Sequence, residues 1–252
     1  PILSAQQSNS KPTTDPYVII LGTLQDGGSP HAGCEKECCK MIDPNKKVVS
    51  LGLIDPMSRK RFLFEATPDI TSQFKSLNQL LPGKQEFAPD GIFLTHAHIG
   101  HYAGLMFLGR EAMNTKAVPV YAMPKMKSFL ESNGPWSQLL GLKNIQINPL
   151  AENKWENIGS NLKVKPILVP HRDEFSETVG FIIEGPNKKV LFIPDIDKWG
   201  KWRTDIVSLI KEVDHALIDG TFFSAAEVNN RNIAEIPHPL VQESMLLFDS
   251  LS

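Results

Sequence analysis

Three of the chain's seven histidines fall within six residues, in Thr95-His96-Ala97-His98-Ile99-Gly100-His101. Neutral imidazole is the commonest side-chain metal ligand and suits zinc, iron or manganese. In extended chain, positions i and i+2 point to the same side, so His96 and His98 share a face, and His101 can return from a first helical turn. The run follows Gly91-Ile92-Phe93-Leu94, a short apolar stretch of buried-strand type. Two later positions share that placement. Lys165-Pro166-Ile167-Leu168-Val169-Pro170 leads to His171, and Val190-Leu191-Phe192-Ile193-Pro194 leads to Asp195. A lone His or Asp at a strand end is ordinarily a turn residue. Three apolar strands, each running into a metal-type residue, point instead to a shared site, and its chemistry would be activation of water by a divalent metal.

A second cluster, Cys34-Glu35-Lys36-Glu37-Cys38-Cys39, holds all three cysteines. An odd count cannot pair fully within the chain, and adjacent cysteines form only a strained disulfide. Three thiolates with one histidine would complete a tetrahedral structural zinc site, with His31 as a local fourth ligand. Asp219, after Ala216-Leu217-Ile218, can orient a ligand histidine or simply end a strand before Gly220. His238 lies between two prolines. Trp199 and Trp202 can line a pocket or pack, and Arg110-Glu111 reads as a solvated pair.

These residues need a frame. Tyr17 to Gly22, Val48 to Ile54 and Arg61 to Glu65 read as strands, and Thr67-Pro68-Asp69 supplies an N-cap, a first-turn proline and an early acid for a helix to about Leu80. Further strands fit Val118 to Tyr121, Ile145 to Ile147, Leu162 to Val169, Thr178 to Ile183, Val190 to Ile193 and His215 to Ile218. Helices fit the stretch beyond Leu105, Pro124 to Glu131, Pro135 to Leu140, Asp205 to Lys211 and Pro239 to Phe248. Two β-runs, each followed by helices, predict a layered α+β or α/β domain over residues 17–252. With 252 residues, 41% hydrophobic and 21% charged, the chain is long enough and apolar enough for one large globular domain. No stretch approaches the roughly 20 uninterrupted apolar residues of a membrane span. The net charge of -2 gives no overall field for gathering nucleic acid. Residues 1–16 have a linker composition, and Leu3-Ser4-Ala5 before Gln6 reads either as the remnant of an export signal, which would make the protein periplasmic, or as an ordinary tail on a cytoplasmic one.

The order of an HxHxxH run, then a His, then an Asp, each after a strand, resembles the metallo-β-lactamase superfamily of metal-dependent hydrolases. Gly27-Gly28-Ser29-Pro30, Thr95 to Leu105 with Leu108-Gly109-Arg110-Glu111, and Asp219-Gly220-Thr221-Phe222 look most like its branch of coenzyme PQQ synthesis protein B and relatives, which includes phosphodiesterases and tRNA 3′-processing nucleases. The resemblance implies a four-layer αβ/βα sandwich with the metals at one edge. It implies that His96, His98 and His171 hold a first metal, that His101 binds a second, and that Asp195 bridges the two. The family motif carries an Asp just before the third His, where this chain has Gly100, so one tight zinc and a weak or empty second position are expected, with iron or manganese as alternatives. The family's last ligand, a His after a final strand, has no match here, so the chain reads as one strand short. His238 resembles a catalytic proton donor, alongside Asp195. Some relatives carry a structural zinc on a comparable cysteine loop. The activity implied is a metal-bound hydroxide attacking a phosphoester, ester or lactone-type bond of a small-molecule substrate. The alternative is a non-catalytic or oxidative metal-binding protein of the PQQ synthesis protein B type. Near-neutral charge disfavours the nuclease branch.

Overall fold

The structure, a computed structural model, describes residues 14–40, 43, 45–159, 161–228 and 236–251. The expected export remnant lies outside the described residues. The first half runs β1 (Tyr17–Gly22), α1 (Glu37–Lys40), β2 (Ser50–Asp55), β3 (Lys60–Phe64), α2 (Ile70–Gln79), β4 (Gly91–Phe93), α3 (Ile99–Tyr102), β5 (Val118–Ala122), α4 (Pro124–Ser132), α5 (Trp136–Gly141) and β6 (Ile145–Pro149). The second half runs β7 (Glu156–Asn157), β8 (Lys163–Leu168), β9 (Val179–Glu184), β10 (Lys189–Ile193), α6 (Ile206–Lys211), β11 (His215–Ile218) and α7 (Val241–Phe248).

Among the described residues, β1 to β6 form one sheet in sequence order, antiparallel through β3 and parallel beyond it. The second sheet runs β11-β10-β9-β8-β7, antiparallel except where β10 meets β11. Side-chain alternation sorts each strand onto two faces. Leu51, Leu53, Phe62, Phe64, Phe93 and Tyr121 of the first sheet meet Val164, Val179, Phe181, Ile183 and Phe192 of the second. Their alternates Leu63, Ile92 and Val120 turn outward onto Ile70, Phe74 and Leu77 of α2 and onto Met126 and Leu139 of α4 and α5. Ile182, Leu191 and Ile193 turn outward onto Ile206 of α6, with Phe248 of α7 against the same cluster. The result is helix, sheet, sheet, helix: the four-layer α+β sandwich expected of the sequence.

The centre of the sandwich is aromatic. Phe93 stacks on Phe64 at 4.8 Å and on Tyr121 at 4.3 Å, while Phe181 meets Phe64 edge-on at 5.5 Å. Such pairs contribute about 0.5–1.5 kcal/mol each beyond their buried area. The Phe181 pair crosses from sheet to sheet and helps fix the relation of the two halves that jointly build the site.

Three boundaries differ from expectation for physical reasons. The α2 cap is Asp69, not Thr67; its carboxylate accepts from the Val48 N–H at 2.8 Å, while the Thr67 hydroxyl accepts from the Asp69 N–H. The segment after His101 is a tight 3-10 turn over Ala103–Leu108 rather than an α-helix. Gly104 there packs so closely that a Cβ would lie 2.2 Å from the Thr67 carbonyl oxygen. The strand β4 ends at Phe93, before the histidine run, although the Leu94 N–H still donates to the Tyr121 carbonyl of the next strand. No described helix is long and apolar enough to cross a membrane.

Candidate metal centre

His96 and His98 stand on the loop from β4 into α3, His101 within α3, His171 on the loop after β8, and Asp195 two residues past β10. The loops are pinned to one another. Ala97 N–H donates to Ser176 Oγ at 2.8 Å, Val179 N–H to the Thr95 carbonyl at 3.2 Å, and Asp197 N–H to the Pro170 carbonyl at 2.7 Å. Residues from both halves of the sandwich therefore meet at one end of it.

One ligand atom from each of His96, His98, His171 and Asp195 lies within 4.8 Å of every other. His98 Nδ1 is 2.8 Å from His96 Nε2 and 3.3 Å from His171 Nε2. Asp195 Oδ2 is 3.6 Å from His96 Nε2 and 3.4 Å from His171 Nε2. Ligands held tetrahedrally at about 2.0–2.1 Å from zinc are spaced about 3.3 Å apart. The four separations of 2.8–3.6 Å bracket that spacing.

The far side of each ring faces an oxygen. Thr95 Oγ1 lies 2.8 Å from His96 Nδ1, Glu174 Oε2 lies 3.0 Å from His98 Nε2, and Asp197 Oδ1 lies 3.6 Å from His171 Nδ1. A hydroxyl behind His96 and a carboxylate behind His98 orient those two rings, whereas His171 Nδ1 faces Asp197 without a hydrogen bond. Burial, reinforced by neighbouring His101, His98 and His171, pushes His96 well below its ordinary value and keeps it neutral. Burial lowers His171 as well, against the pull of Asp195.

His101 belongs to the other side of Asp195, with its Nε2 3.6 Å from Asp195 Oδ2 and its Nδ1 3.3 Å from Glu65 Oε2. Burial alone would lower His101, yet Glu65, Asp195 and Asp26 raise it, and burial raises Glu65 in turn. Glu65 is wholly buried, and its backbone sits at φ 75°, a left-handed conformation uncommon for a non-glycine residue. His238 Nδ1 lies 2.8 Å from Asp219 Oδ2 and 3.1 Å from Asp195 Oδ1. Burial opposes its charge, but the two carboxylates push His238 up to about 10. Asp195 stays ionised despite burial because His238, His171 and His101 surround it.

The sequence-predicted set therefore converges: His96, His98, His171 and Asp195 at one position, His101 beside Asp195, and His238 behind it with Asp219. Asp219 orients His238 rather than one of the ring of ligand histidines. Trp199 donates to Ser244 Oγ at 2.9 Å and Trp202 to the Leu168 carbonyl at 2.8 Å, so both indoles commit their N–H groups to packing. Arg110 and Glu111 pair with each other at 3.5 Å in solvent. His31 is exposed, and Cys38 has its side chain outside the described residues, so the expected zinc site of Cys34, Cys38 and Cys39 falls partly beyond them. Sequence reasoning missed Glu65, Glu174, Asp197 and Thr95. Of these, Glu65 was within reach, since Phe62-Leu63-Phe64 is one more apolar strand that ends in a metal-type residue.

Comparison with known proteins gives a consistent picture. Residues 60–252 match the family model described as "Beta-lactamase superfamily domain". Coenzyme PQQ synthesis protein B of Nitrosococcus oceani is 24% identical over 246 residues, covering 86% of this chain and 78% of that protein. Zn(2+)-bound PqqB from Methylobacterium extorquens superposes with a TM-score of 0.69 at 22% identity, covering 84% of this chain and 75% of that one. A diphosphatase from the PhnP family superposes with a TM-score of 0.65 at 18% identity, covering 94% and 82%. At these identities the structural likenesses speak to the fold.

Proposed function

Because the chain belongs to the beta-lactamase superfamily, we propose that it is a zinc-dependent hydrolase acting on a phosphoester, ester or lactone-type bond of a small molecule. The observation that carries this reading is the convergence of one ligand atom each from His96, His98, His171 and Asp195 within 4.8 Å of one another, with His96 and His98 each backed by a hydrogen-bonded oxygen. A zinc ion held there would lower the pKa of its bound water to about 7 and would act as a Lewis acid for the electrophile.

The chain's own residues do the rest. Thr95 and Glu174 hold the His96 and His98 rings in register, and Asp195 places its carboxylate between the three-histidine position and His101. His238 keeps its proton at neutral pH and stands next to Asp195, where it can protonate a departing oxygen. Arg172 lines the same cavity as His238 and Asp195.

A second reading, a metal-binding protein of the PQQ synthesis protein B type that is non-catalytic or oxidative, is favoured by the named relatives. One experiment separates them: zinc-loaded protein tested on phosphodiesters, phosphomonoesters, diphosphates, carboxylic esters and lactones. Turnover that chelator abolishes and zinc restores is expected, with His238→Ala lowering kcat by about 10²–10⁴-fold. Tight zinc binding with no turnover on any of these would favour the second reading.

A further inference from the structure

Gly100 precedes His101 in the first turn of α3. A Cβ placed on Gly100 would lie 2.1 Å from the Cβ of Asp26, 2.7 Å from its Cα and 2.9 Å from its carbonyl oxygen. That is far inside contact distance: the side chain of Asp26 begins where a side chain on residue 100 would begin. Asp26 comes from the loop after β1, outside the segment that matches the family model.

That loop is built to bring Asp26 in. Leu24 forms an isolated bridge with Val48, Val49 N–H donates to the Leu24 carbonyl at 2.9 Å, and Gly28 N–H closes a turn on the Gln25 carbonyl at 3.0 Å. Gly22 permits the approach, since a Cβ there would meet the Val48 carbonyl oxygen at 2.1 Å. Asp26 then lines a cavity of about 50 Å³ together with His101, Asp195, His238, Arg172 and Thr221. Asp195, 8% exposed, turns into this cavity and leaves its Oδ1 without a hydrogen bond of good geometry. Among the described residues, the carboxylate of Asp26 makes no hydrogen bond or ion pair.

We propose that Asp26, with His101 and Asp195, holds a second divalent cation beside the three-histidine position, its carboxylate taking the place that Gly100 leaves open. Two carboxylates and one imidazole are a donor set for zinc or manganese. At about 50 Å³ the cavity exceeds the roughly 30 Å³ that a water takes in the liquid, room for an ion and one coordinated solvent. Gly100 is then a requirement of the site rather than a loss from it, because any side chain there would expel Asp26.

The inference rests on the reading of the three histidines as a metal position, and the test keeps the two apart. Full-length protein stripped of metal is titrated with Zn²⁺, and bound zinc per chain is read by elemental analysis and calorimetry. Wild type is expected to take two ions, the second more weakly, and Asp26→Asn to weaken the second at least about tenfold with the first unchanged. Gly100→Ala, whose Cβ lands on Asp26, is expected to do the same. The exchange Asp26→Gly with Gly100→Asp is expected to regain the second ion. The proposal is overturned if Asp26→Asn and Gly100→Ala both bind two ions with wild-type affinities. It is also overturned if wild type takes one ion that His96→Ala removes, a result that leaves the three-histidine position standing. No zinc bound by wild type would overturn both.

Discussion

At the scale of single residues, the site depends on oxygens behind nitrogens. Glu174 reaches His98 across 76 positions of sequence, and its carboxyl is held below the usual range by that imidazole. Glu174→Gln and Asp197→Asn are each expected to lower zinc affinity by about 10–100-fold, read by competition with a chromogenic chelator. Unchanged affinity in both would show that the rings hold their tautomers without help. The clustered histidines and Asp195 were legible in the sequence, because a histidine or aspartate after an apolar strand is a local pattern. Their supports were not. Glu174 and Asp26 are acids in turns, a type that turns use everywhere, and only the folded geometry brings them against His98 and Gly100.

At the scale of elements, alternation of side chains sets most of the layering. Phe62 and Phe64 face the inter-sheet core while Leu63 faces the helices, and that period of two is written in the order of the residues themselves. Two residues of β7 and four of α1 are too few to carry a period, so neither element is legible in the sequence. Phe93→Ala is expected to destabilise the fold by about 3–5 kcal/mol in urea denaturation, since it empties the centre of a stack shared by Phe64, Tyr121 and Phe181. A smaller effect ties β9 to its neighbours. Glu184 lies 2.7 Å from Lys163 on β8 and 3.3 Å from Lys189 on β10, and Lys163 foremost holds its carboxyl below the usual range. A depressed folded value contributes stability above the unfolded value and loses it as pH falls through the folded one. Glu184→Gln is therefore expected to cost up to about 1 kcal/mol near neutral pH. The gap from wild type should close as pH drops below about 4. A gap that persists in acid would assign the effect to packing.

At the scale of the whole molecule, the metal position is a clasp. His96 and His98 come from one half of the sandwich and His171 and Asp195 from the other, so an ion held among them joins the halves. Zinc at a hundredfold excess over its dissociation constant is expected to add about 2.7 kcal/mol. For a chain of this size that raises the calorimetric midpoint by roughly 5–10 °C. A midpoint indifferent to zinc and chelator would rule the clasp out. The backbone of Glu65 adds a counterweight. Held at φ 75° with its carboxylate sealed from solvent, it costs folding free energy that a glycine at the same place would not. Natural drift toward greater robustness would therefore run through Glu65, and each step along it would leave His101 unsupported. Glu65 thus gives up folding free energy to set a buried carboxylate against His101.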